Sequence, residues 1–128
     1  MLIFVDIDKT ICSFPAHTMD FSTDSAPIYK TAEPILENIA KVNKMYDQGH
    51  TIVFWTARGC FGHSSKNKDK VSNIFNLTMN QLKEWKVKFH EVRLGKPYFD
   101  ILIDDRTINS ITDWTPKRVE QVFEENKK

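Results

Sequence analysis

The 128-residue chain has few cysteines (2) and few glycines (4), and no excess of charge in either direction. It has no internal repeat and no low-complexity tract. Cys12 and Cys60 are far apart with no C-x-x-C pair, which argues against a zinc or dithiol redox motif and for two reduced thiols. The apolar runs Leu2 to Val5 and Thr51 to Trp55 fall well short of the roughly 20 residues of a spanning helix, so no membrane partner is expected. Asp6 interrupts the first run too early for a signal peptide, and the expected location is cytoplasmic. Lys and Arg total 18 against 17 Asp and Glu, a net charge of +1. That gives no basic footprint, and nucleic acid is not an expected partner.

What the chain does have is apolar material: 41% hydrophobic and 12% aromatic residues against 27% charged. This suffices for one sizeable core, and the length argues for a single domain over residues 1–128. Leu2-Ile3-Phe4-Val5 and Thr51-Ile52-Val53-Phe54-Trp55 read as buried parallel strands, and Ile101-Leu102-Ile103 as a third. Between the first two, Pro34 suits a first helical turn. Ile35, Leu36, Ile39, Val42 and Met45 then recur at helical spacing until Gly49 stops the run. A second helix is expected about Thr78 to Trp85, a short strand about His90 to Arg93, and a last helix from near Pro116. The polar stretches 13–31 and 59–73 read as inserted loops or flaps. Strands alternating with helices predict an α/β fold with a doubly wound, mostly parallel sheet. In such sheets ligands bind beyond the carboxyl ends of the strands, where Asp6, Thr56 and Asp104 would project.

The segment Asp6-Ile7-Asp8-Lys9-Thr10 puts two carboxylates two residues apart just after a strand. One acid can attack phosphorus while the other moves protons to the leaving oxygen and from water. Like charges ~4 Å apart repel by roughly 4 kcal/mol at an effective dielectric of 20, so Asp6, Asp8, Asp104 and Asp105 need a cation among them. A carboxylate-rich site that also takes a phosphate suits Mg²⁺. Lys96 is a second candidate cation, and Thr56 offers a hydroxyl donor with turn N–H groups beside it.

The order Asp6-x-Asp8-x-Thr10, Thr56 after an apolar strand, Lys96, then Asp104-Asp105 after another resembles the four motifs of the haloacid dehalogenase superfamily of phosphohydrolases. The match spans about residues 2 to 106. Asp47-Gln48-Gly49-His50-Thr51, Trp55-Thr56-Ala57-Arg58-Gly59, Gly95-Lys96-Pro97 and Ile103-Asp104-Asp105-Arg106 further resemble small bacterial phosphatases of capsule and surface-polysaccharide synthesis. The resemblance implies a three-layer fold without a large cap domain, Asp6 as nucleophile and Asp8 as general acid/base. It implies Thr56 and Lys96 as phosphate binders; Ala57 and Arg58, in the turn after Thr56, are further substrate-binding candidates. Mg²⁺ would be held by Asp6, the Asp8 carbonyl and Asp104, with Asp105 in support. The expected substrate is a small phosphomonoester, a sugar phosphate first, with a nucleotide or a nucleic-acid end as the alternative. An open site also allows a homo-oligomer that covers it.

Each residue has a plainer reading. Asp6 and Asp8 could be turn or cap residues, Thr56 a strand residue, Lys96 a solvated lysine, and Arg58 either a binder of a substrate phosphate or carboxylate or the partner of a surface acid. His17 and His63 fall in the expected loops, while His50 and His90 read as structural. A phospho-accepting receiver also gathers acids, Thr and Lys around Mg²⁺. It resembles an adjacent acidic pair first and a lone acceptor Asp later, the reverse of the order here. A silent interaction domain would be expected to have lost Asp6, Asp8, Lys96 or Asp104.

Overall fold

A computed structural model describes residues 1–15, 26–59 and 68–127. His17, Cys60 and His63, with most of the two expected flaps, lie outside them. The chain divides into two compact units, Met1–Tyr98 and Phe99–Lys128.

In the first unit, β1 (Leu2–Val5), β4 (Thr51–Trp55) and β5 (Glu91–Arg93) form a parallel sheet in the order β1-β4-β5. The register sets Val5 opposite Phe54 and Trp55 opposite Arg93. Central β4 buries Ile52, Val53 and Phe54, as a run apolar on both faces must. The expectation that β1 is equally buried is corrected: Leu2 is 63% exposed and Phe4 42%. Its one described neighbour in the sheet is β4, and only Val5 of the strand is fully covered.

The first long helix, α2 (Leu36–Asp47), lays Ile39, Val42 and Met45 inward at helical spacing. It ends where expected, at Gly49, whose φ of +93° is a left-handed stop that favours glycine. Pro34 is not in its first turn. Glu33–Pro34 form β3, paired antiparallel with β2 (Cys12–Ser13), while Ile35 stays extended and donates its N–H to the Ile11 carbonyl at 2.8 Å. Proline tolerates this place because so short a pair asks little of its missing N–H.

Helix α3 (Lys68–Glu84) begins ten residues before the expected start, inside the polar stretch 59–73 expected as a loop. Ile74, Thr78, Gln81 and Leu82 are buried at helical spacing, and the two polar members hid the period. His90 accepts the Ile52 N–H on Nδ1 at 3.0 Å and stacks on Tyr46, a structural role as expected. A short helix α1 (Ala26–Tyr29) carries the buried Tyr29.

In the second unit, α4 (Pro116–Glu125) starts at Pro116 behind Thr115, whose hydroxyl accepts the Arg118 N–H. The expected strand Ile101–Ile103 is overturned. These residues belong to no strand, and Ile103 is 93% exposed. Three β-favouring side chains make a strand only where their backbone meets a neighbour. Among the described residues no helix is long and apolar enough to cross a membrane.

Phe54 is fully buried, with its ring edge-on to Phe89 at 5.8 Å between centroids. Phe54→Ala is therefore expected to cost about 3–5 kcal/mol in urea unfolding. Leu36→Ala, at a 70% exposed position, should stay within about 0.5 kcal/mol. Equal losses for the two would contradict this core.

Candidate active site

Asp6 follows directly on β1, and the chain then turns tightly. Thr10 and Ile11 both donate N–H to the Ile7 carbonyl, and Lys9 takes a φ of +64°. Ile7 and Ile11 are fully buried and anchor this loop, while α2 holds it from behind through Asn38, whose amide donates to the Thr10 carbonyl at 2.8 Å. The parallel register brings the end of β4 out beside the end of β1, so Asp6 and Thr56 emerge at the same edge. Gly95, at φ +86°, turns the chain so that the Lys96 N–H meets the Thr56 carbonyl at 3.2 Å.

Lys96 Nζ lies 3.4 Å from Asp6 Oδ1, and the Thr10 hydroxyl donates to Oδ2 at 3.3 Å. The ammonium also sits 5.9 Å from the Trp55 ring centroid. Burial raises the Asp6 pKa above the usual carboxylate value; the Lys96 charge opposes that rise and the Asp8 charge adds to it. Thr56 is buried, and its hydroxyl oxygen accepts the Arg58 N–H at 3.1 Å. Ala57 is half-buried in the turn between them.

Arg58 departs from both sequence readings. Its side chain has no exposed surface, and its fork turns inward to Asp8 instead of outward to a substrate or a surface acid. Nε reaches both Asp8 oxygens at 3.1 and 3.0 Å, and Nη2 reaches Oδ1 at 2.7 Å. Nη1 donates to Thr78 Oγ1 at 3.1 Å and to Gln81 Oε1 at 2.6 Å. The Tyr29 ring lies 4.7 Å from the guanidinium carbon, and Gln81 Nε2 donates to the Tyr29 carbonyl at 2.6 Å. Burial works against the Arg58 charge, but the hydrogen bonds and charge of Asp8 more than offset it and raise its pKa.

Thr78, Gln81, Tyr29 and Cys12 are therefore site residues that sequence reasoning missed. A visible signal existed for two of them: Thr78 and Gln81 are polar, three apart, on the apolar face of a helix. Nothing in the sequence marked Tyr29 or Cys12.

Thus Asp6, Asp8, Thr56, Arg58 and Lys96 are gathered in the first unit. Asp104 and Asp105 belong to the second, where Asp104 Oδ1 accepts the Arg106 N–H at 3.0 Å and Asp105 lies 3.8 Å from the Arg106 guanidinium. That backbone hydrogen bond lowers the Asp104 pKa. The donors fit Mg²⁺ only in part. Asp6 offers a carboxylate whose burial Lys96 does not fully offset, whereas the Asp8 carboxylate is held by Arg58. Among the described residues no three His, Cys, Asp or Glu side chains gather as a metal-holding group.

The Cys12 thiol is buried, donates to Asp8 Oδ1 at 3.5 Å, and has its pKa pushed up to about 12 by burial and by the Asp8 charge. It should stay a protonated, unreactive thiol at about pH 8. In a Cys60→Ser background, iodoacetamide is expected to leave the folded protein unlabelled and to alkylate Cys12 in urea. Equal labelling rates in the two states would contradict the burial.

No family model matches the chain, and no curated protein matches it. The crystal structure of a target protein from Vibrio cholerae is similar over 98% of each chain, with 25% sequence identity and a TM-score of 0.73. The described residues thus form a small α/β fold with a parallel three-stranded sheet, and the fold is similar to that protein's.

Proposed function

We propose that the chain is a phosphomonoester hydrolase that works through an aspartyl phosphate, with the doubly wound, capless fold of the haloacid dehalogenase superfamily. The observation that carries this reading is the pair of acids after β1 given two different cations, Lys96 beside Asp6 and Arg58 around Asp8. Asp6 is the more open of the two, with a side chain 34% exposed against 14% for Asp8, so it is the acid a phosphoryl group can reach. An Asp6 oxygen attacks phosphorus, the bond from phosphorus to the substrate oxygen breaks, and its electron pair leaves on that oxygen. Asp8 enters this step in its acid form, protonated from solvent, and gives that proton to the leaving oxygen. It then takes one from the water that attacks phosphorus and releases Asp6. Lys96, beside Asp6, would balance charge building on the phosphoryl oxygens.

Mg²⁺ belongs to this proposal through the resemblance. Asp6 and the Asp8 carbonyl would hold it, with Asp104 and Asp105 as the further acids the resemblance names, and its chemistry would be to neutralise phosphoryl charge. The substrate we propose is a sugar phosphate of surface-polysaccharide synthesis, handled in the cytoplasm.

The test is phosphate release from sugar phosphates, mononucleotides and 5′-phosphorylated oligonucleotides, with Mg²⁺ and with chelator, for wild type and Asp6→Asn. Expected is Mg²⁺-dependent release, greatest for a sugar phosphate, that falls by about 10³-fold or more in Asp6→Asn. The variant should keep the wild-type circular dichroism spectrum. Full activity in Asp6→Asn would end the aspartyl-phosphate reading, and preference for nucleotides or oligonucleotide ends would move the substrate class.

A further inference from the structure

We propose that Arg58 is a positioning residue for Asp8: its buried guanidinium, anchored by Thr78 and Gln81 of α3, fixes the Asp8 carboxylate in the one orientation used for proton transfer. This rests on the hydrolase reading above. Arg58 has no exposed side-chain surface, and its donors are turned to Asp8, Thr78 and Gln81, so the part we assign it passes through the groups it holds.

The donors are shared out along the guanidinium. Nε and Nη2 take Asp8, making three contacts of 3.1, 3.0 and 2.7 Å, and Nη1 takes Thr78 and Gln81 at 3.1 and 2.6 Å. The face of the group lies against Tyr29, and Gln81 is itself tied to the Tyr29 main chain at 2.6 Å. A planar fork held on two edges and one face can neither rotate nor slide. A carboxylate paired to it through both oxygens inherits its plane.

The contrast with Asp6 gives the arrangement its meaning. Asp6 faces a compact ammonium at 3.4 Å, the Thr10 hydroxyl at 3.3 Å and the Ile7 backbone N–H, three separate donors rather than one planar fork on both of its oxygens. Asp8 is held by that fork. Two carboxylates two residues apart are thereby given separate tasks by the geometry of their cations.

A core staple with no catalytic consequence would also be buried, so the test must separate positioning from stability. Turnover of p-nitrophenyl phosphate is measured for wild type, Arg58→Ala, Arg58→Lys and Gln81→Met. Misplacing a catalytic group by an ångström can lose about 10²-fold. Arg58→Ala is expected to lose kcat by about that factor with KM little changed, and guanidinium ion at sub-denaturing concentration should restore part of it. Arg58→Lys should remain low because an ammonium lacks the fork, and Gln81→Met should fall between it and wild type. Wild-type kcat in Arg58→Ala, a loss confined to KM, or no rescue would overturn the proposal.

Urea unfolding of Asp8→Asn, Arg58→Met and the double variant checks the pair without activity. Asp8→Asn should lower the midpoint by stranding a buried guanidinium, and the double variant should recover part of it. Strictly additive losses would overturn the pair itself. A wild type without turnover would end the hydrolase reading and this role with it, whereas an active wild type with an indifferent Arg58→Ala would end this role alone.

Discussion

A guanidinium with no surface in water must find an anion and fill its donors, because an unmatched buried charge costs far more than a small domain can bear. Around Arg58 that requirement draws together segments distant in sequence. The turn after β1 supplies Asp8, α1 supplies Tyr29, and α3 supplies Thr78 and Gln81. The hydrophobic core alone would leave each of these with some freedom to slide. The ion pair fixes their register, and it does so beside the strand ends where Asp6 emerges.

The sheet contributes direction. Parallel strands end together, and the β1–β4 register places Asp6 and Thr56 at one edge whatever their side chains do. Gly95 then returns the chain so that Lys96 bonds the Thr56 carbonyl through its backbone and Asp6 through its side chain. The same residue thus ties two strand ends together and sets a positive charge between them. Backbone geometry delivers the acids, and the buried network holds one of them, Asp8.

Much of this was legible in the sequence because it follows from periodicity and from what acids need. The apolar runs at 2–5 and 51–55, the helical spacing of Ile39, Val42 and Met45, and the stop at Gly49 all fix elements locally. Lys96 was legible as a cation of the site, and it stands beside Asp6. Arg58 was legible as a charged residue of the site but not in its direction, since a sequence does not show whether a planar fork faces water or the core. The length of α3 was lost for the same reason. Thr78 and Gln81 break an apolar stripe unless one already knows that they receive a buried guanidinium.

The failure at Ile101–Ile103 is of another kind. Leu2-Ile3-Phe4-Val5 followed by Asp6, and Ile101-Leu102-Ile103 followed by Asp104, are nearly the same pattern, yet only the first is a strand. Composition cannot separate them, because a strand is defined by the neighbour that accepts its ladder, and β1 has β4. The acids that follow differ accordingly. Asp6 leaves a paired strand into a tight turn that buries it and raises its pKa. Asp104 folds back on its own chain to cap Arg106, and its pKa falls. An apolar run ending in an acid therefore does not by itself fix the acid's surroundings; the pairing of the run does.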